Sequence, residues 1–165
     1  MPIKTVDDLF IHELSDMYSA EKQMTRSLPK MARASTDPEL AAAFEQHLEE
    51  TQGQVERIDR IVEVTGIKLK RVKCAAMEGL IEETKDTIEE IEKGPVLDAA
   101  LIGSAQKAEH YEIASYSTLI VLATQLGHQE AVQLLTESLE EERATDEKLG
   151  TLAAAQKVEE AQEAA

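Results

Sequence analysis

The 165-residue chain carries 33 Asp and Glu against 17 Lys and Arg, a formal net charge of −16, yet 42% of its residues are hydrophobic. That length suits one domain burying roughly two thirds of its unfolded surface, and the apolar content excludes a disordered acidic tail. So negative a surface repels phosphate backbones and anionic bilayers, which makes nucleic acids and membranes poor partners.

At the N-terminus, Met1-Pro2-Ile3-Lys4 leads into no long apolar run, so no secretory signal is read there. Thr5 with Asp8 spells a helix cap, and Phe10, Leu14, Met17, Glu21, Met24 and Leu28 follow at helical steps until Pro29 disturbs the pattern. Asp37 and Pro38 open a second helix through Leu40, Phe44, Leu48, Val55, Ile58 and Val62, stopped by Gly66. Between Ile67 and Gly94 lies a shorter amphipathic segment with Met77, Leu80, Ile81, Ile88 and Ile91 on one side. Cys74 within it is the sole cysteine, which points to a reducing cytoplasm. A third long helix runs through Leu97, Leu101, Ala105, Ala108, Glu112, Leu119 and Leu126 to Gly127, and a fourth through Ala131, Leu135, Leu139, Glu142, Leu149 and Leu152. Residues 119–123 form one of the longest apolar runs and fall far short of the ~20 residues of a membrane span, so a soluble chain is expected.

The class is therefore all-α: a four-helix bundle over residues 1–152, with a long crossover that itself holds a short helix, and an Ala/Glu-rich tail over 153–165. Ala20-Glu21-Lys22 resembles Ala108-Glu109-His110, and Leu48-Glu49-Glu50 resembles Leu139 to Glu142, which suggests a repeat of helix pairs.

Several acids fall where a bundle places leucine. Glu21 sits between Met17 and Met24, Glu112 between Ala108 and Leu119, and Glu142 between Leu139 and Leu149. Phe44, His47, Glu50, Gln54 and Ile58 recur at steps of three or four, and Glu109 joins Glu112 on the side of Tyr116. A buried, unpartnered carboxylate is costly, and several converging would repel one another. Two divalent cations would neutralise Glu21, Glu50, Glu109 and Glu142, and oxygen donors with at most one imidazole favour iron or manganese. The alternative for any single acid is solvation at the bundle edge, and for His47 a hydrogen-bonded core histidine. Tyr18, Tyr111 and Tyr116 read as packing residues, with Tyr116 in reach of a ligand; His12, His110 and His128 read as surface or capping residues.

Residues 9–23, 44–51, 108–116 and 139–146 are similar to the corresponding segments of the YciF-like bacterial stress proteins, and the resemblance covers nearly the whole chain. It implies a ferritin-like fold related to rubrerythrin and bacterioferritin, a homodimer, a stress role and a di-iron carboxylate centre. The ligand pattern departs from the usual Glu-x-x-His: the second helix reverses it as His47-x-x-Glu50, and on the fourth Thr145 and Asp146 follow Glu142 with no histidine. Carried over, Glu21 and Glu112 are terminal ligands, Glu50, Glu109 and Glu142 ligands or bridges, and His47 and Asp146 the remaining donors to two iron or manganese ions. The expected activity is turnover of O2 or peroxide. The rival is a non-enzymatic dimeric interaction protein with the same bundle. Residues 119–126, apolar on more than one side, are the expected dimer contact.

Overall fold

The computed structural model describes residues 2–156. Among them are five α-helices and no strand: α1 (Val6–Ala34), α2 (Pro38–Thr65), α3 (Ala75–Glu90), α4 (Pro95–Gln125) and α5 (Gln129–Ala155). The all-α reading holds. Of the expected tail, residues 153–155 continue α5, and 157–165 lie outside the described residues.

The helix boundaries follow local chemistry. Thr5 Oγ1 accepts the Asp8 N–H at 3.0 Å while the Asp8 carboxylate accepts the Thr5 N–H at 3.2 Å, a reciprocal cap that starts α1. Asp37 accepts the Glu39 N–H at 2.9 Å with Pro38 at the first helical position of α2. Gly66 ends α2 at φ 70°, a left-handed conformation that glycine adopts without steric cost. Pro29 does not end α1, which continues to Ala34. An interior proline costs about 3 kcal/mol, but Leu28 and Met31 beside it are buried, and each such side chain returns about 1.5–3 kcal/mol.

α1 packs on α2 and α4, and α5 on α2 and α4, so the four long helices close a ring, with α3 outside it against α1 and α4. Cross-helix pairs fix the directions. Asp98 near the start of α4 meets Thr36 just past the end of α1, and Arg60 late in α2 meets Glu130 early in α5. Each helix therefore runs antiparallel to its ring neighbours. Residues 66–94 return the chain along the bundle from the end of α2 to the start of α4. A polar row on α1 ties down their extended part: Ser15 Oγ accepts the Lys70 N–H and Ser19 Oγ the Cys74 N–H, both at 2.9 Å, and Gln23 Nε2 donates to the Cys74 carbonyl at 3.1 Å.

The core is apolar at both ends of the ring and polar in the middle. Phe10, Leu14, Ile58, Ile61, Leu119 and Leu135 fill one end, and Met24, Leu28, Leu40, Phe44, Leu101 and Leu149 the other. On α2 the buried positions between Phe44 and Ile58 are His47, Thr51 and Gln54, while the expected core residues Leu48 and Val55 are only half-buried on a flank. The apolar breadth of residues 119–126 also has an internal cause. Because α4 touches α1, α3 and α5, Leu119, Leu122 and Ala123 are buried within the chain itself, and Val121 is the apolar member left well exposed. His128 holds the N-cap position of α5 without a side-chain cap bond, its ring 5.8 Å from that of Phe10.

Candidate metal centre

Each ring helix delivers acid to the polar middle layer. Glu21 of α1, Glu109 and Glu112 of α4 and Glu142 of α5 are each 0% exposed, and His47 of α2 is 2% exposed. On α4 the three-residue step from Glu109 to Glu112 puts both carboxylates on the inward face. One donor atom from each of His47, Glu109, Glu112 and Glu142 lies within 4.8 Å of the others. Glu21 adjoins this group and is oriented by Tyr116, whose hydroxyl donates to Oε1 at 2.7 Å. Tyr116 thus supports one of the expected ligands.

The layer is short of hydrogen bonds. Both oxygens of Glu109, Glu112 and Glu142, Oε2 of Glu21 and both ring nitrogens of His47 are shielded from water and have no hydrogen-bond partner among the described residues. His47 Nε2 lies 2.5 Å from Glu109 Oε1, an ion-pair contact that engages one oxygen of the layer. Burial, and next the charge of Glu142, push the carboxyls of Glu21, Glu109 and Glu112 well above the usual range. Burial alone would lower His47, but the Glu109 carboxylate outweighs it and holds the imidazole well above its ordinary value.

Glu50 occupies the open side of the layer at 25% exposure, with Oε2 3.8 Å from His47 Nδ1. It accepts from Gln46 Nε2 at 3.1 Å and from Thr145 Oγ1 at 3.2 Å. Its carboxyl is held below the usual range, chiefly by His47. Thr145, where a histidine would complete the usual motif on α5, supports Glu50 instead. A cleft of about 100 Å³ lined by Ala43, Gln46, His47, Glu50, Thr145 and Lys148 reaches the layer at this point.

Asp146 is not brought into the group. At 24% exposure it lies 3.2 Å from His110 Nε2 and accepts from Gln106 Nε2 at 3.4 Å. Four residues on a helix turn 400°, and the 40° surplus over a full turn carries Asp146 from the inward face of Glu142 toward the rim of α4.

The structure adds two polar groups that helical spacing did not announce. Arg57 of α2 pairs with Glu141 and, at 3.3 Å, with Glu137, closing the flank of the layer between α2 and α5. On the opposite side Tyr111 donates to Asp16 Oδ2 at 2.7 Å, and the Cys74 thiol lies 3.2 Å from the same hydroxyl. Since the phenol proton is given to Asp16, the thiol is the donor to Tyr111. Burial raises both the thiol and the phenol, so both keep their protons and the trio ties α1 and the crossover to α4.

A domain of unknown function, DUF892, matches residues 5–162 of the chain. Protein YciF of Escherichia coli (strain K12) is 62% identical over 154 residues, 93% of either chain. Among solved structures, that of the E. coli stress protein YciF superposes with a TM-score of 0.89, covering 92% of this chain and 96% of the other. YcfI from Rhodopseudomonas palustris does so with a TM-score of 0.87 at 48% identity, covering 90% and 95%.

Proposed function

The chain belongs to the DUF892 family, and we propose that it is a ferritin-like stress protein holding two iron or manganese ions in its middle layer. The carrying observation is the set of buried carboxylate and imidazole atoms that lack hydrogen-bond partners. His47 beside Glu109 and Tyr116 beside Glu21 offset only part of their burial, and two divalent cations would balance four of the five negative charges on Glu21, Glu50, Glu109, Glu112 and Glu142. The ring of four helices with its long crossover is the architecture in which such sites are built.

Glu109, Glu112, Glu142 and His47 would hold the ions, with Glu21 fixed by Tyr116 as a further donor. Glu50, beside the cleft, is the ligand reachable from solvent. Iron or manganese there would supply Lewis acidity and one-electron exchange toward O2 or peroxide. The layer's burial keeps bulk water away from the reacting atoms. The E. coli relative is called a stress protein, and we carry that role, with a reducing cytoplasmic address, to this chain. Among the described residues no helix is long and apolar enough to cross a membrane.

Anaerobic titration with Fe(II) tests the reading. It should saturate near two ions per chain, and Glu50→Ala combined with Glu142→Ala should abolish uptake. Binding no greater than surface background would leave the non-enzymatic interaction protein as the better account.

A second copy is the proposed partner, through the outer face of α4. All three acids of α4, Asp98, Glu109 and Glu112, are buried, so its outer face alone among the long helices presents no acid, while Val96 and Val121 are 43% and 55% exposed. Like-charge repulsion between two −16 chains is weakest there. Light scattering at micromolar concentration should give a dimer, and Val121→Glu should give a monomer; a monomeric parent protein would refute the assignment.

A further inference from the structure

Outside the ring, between the second half of α1 and the adjoining face of α3, runs a groove of about 730 Å³. Its α1 wall carries Arg26, Lys30 and Arg33, and Lys85 of α3 faces them. The α3 wall also presents Ile81 and Ile88, half-buried, with Thr84 buried beneath them, and carries Glu82 and Glu89.

This concentration of cations is unexpected in a chain with nearly two acids for every base. Residues 22–36 contain four cations and no acid. Three bases are matched, Arg57 with Glu141, Arg60 with Glu63 and Glu130, and Lys73 at the groove's end with Glu78. Among the described residues, Arg26, Lys30, Arg33 and Lys85 lie within 4 Å of no carboxylate. Attraction to the C-terminal end of the α1 dipole accounts for Arg33 in the last turn. It does not account for Arg26, two turns earlier, or for Lys85 on another helix, because that field fades within one turn.

An α1 wall with cations and no acid, facing isoleucines on an α3 wall of mixed charge, defines a ligand with two unlike parts. We propose that the groove binds a single-chain amphipathic anion, with its phosphate or carboxylate head against Arg26, Lys30 and Arg33 and its alkyl body along Ile81 and Ile88. The groove's volume lies in the range of small-molecule sites. A polyanion is disfavoured, since beyond the groove it meets the field of a −16 chain. An inorganic anion leaves the apolar wall uncovered. The site is separate from the buried glutamate layer and does not depend on metal.

Dodecyl phosphate and dodecanoate, below their micelle concentrations, are the probes, followed by calorimetry and by amide NMR shifts. At least one should bind at one per chain, with shifts confined to the second half of α1 and to α3. Lys30→Glu with Arg33→Glu should weaken it about tenfold or more, and Ile88→Ser should weaken it too, with melting curves showing each variant folded. Neutral dodecyl maltoside should not bind, and inorganic phosphate should bind about tenfold more weakly than dodecyl phosphate or worse. Binding by neither probe overturns the proposal. So does unchanged affinity in the double variant, inorganic phosphate binding as tightly as dodecyl phosphate, or a second copy of the chain sealing the groove against both probes.

Discussion

Stripped of metal by a chelator, the protein is expected to melt at progressively lower temperature as pH rises from 5 to 8, and added Mn(II) or anaerobic Fe(II) should reverse that loss at the alkaline end. The sign follows from the buried layer. Glu21, Glu109 and Glu112 are held well above the usual carboxylate range when folded. Their contribution to stability is fully present below the unfolded value near 4.5 and is lost as pH rises through the folded values. His47, also raised, acts in the same direction above its ordinary 6.5. Glu50 is lowered, so its stability is lost only as pH falls below its usual 4.5, outside the window. At a metal concentration one hundred times the dissociation constant, linkage gives about 2.7 kcal/mol, roughly 5–10 °C for a domain of this size. Glu112→Gln should flatten the chelated slope, raise the melting temperature at pH 8 and remove most of the metal response. A chelated protein whose melting temperature is level from pH 5 to 8 and indifferent to metal would rule out a layer of unpartnered acids.

What could be read in the sequence was whatever has a local cause. The caps at Thr5 and Asp37 and the stop at Gly66 depend on residues within a few positions, and each stands as expected. Glu21, Glu112 and Glu142 stood out because each interrupts an apolar stripe, and all three are buried. Periodicity could not choose between neighbouring stripes on α2. Phe44, Leu48, Val55 and His47, Thr51, Gln54 fit helical spacing equally, and the acids of α4 and α5 decide that the polar set faces inward. Nor could it separate Glu142 from Asp146, whose 40° difference in direction matters only once α4 is in place beside them. The breadth of the apolar surface on α4 reflects three helical neighbours, a property of the assembly. Ties such as Ser15 to Lys70 and Tyr111 to Asp16 join residues 55 and 95 positions apart and leave no periodic trace.

Asp98 is the clearest case of a residue whose weight lies wholly in tertiary structure, and its removal should cost the most of any single polar change outside the middle layer. In sequence it is an ordinary acid in the first turn of a helix. In the fold it is 3% exposed, and its two oxygens accept the N–H groups of Thr36 at 2.7 Å and Asp37 at 2.9 Å. It therefore binds the first turn of α4 to the corner between α1 and α2, next to the Asp37 side chain that caps α2. Asp98→Ala loses both bonds and leaves two backbone donors without partners, an expected loss of about 3 kcal/mol. That corresponds to roughly 6–12 °C in melting temperature. Asp98→Asn retains one acceptor oxygen and should lose about half as much. Because α2 carries His47 and α4 carries Glu109 and Glu112, loosening their shared corner should also weaken metal affinity, although Asp98 is no ligand. Urea unfolding in chelator measures the first effect and metal titration of the folded variant the second. A loss below about 1 kcal/mol would mean that water replaces the carboxylate at the corner. Unchanged metal affinity would mean that the register of α2 against α4 is set within the middle layer itself.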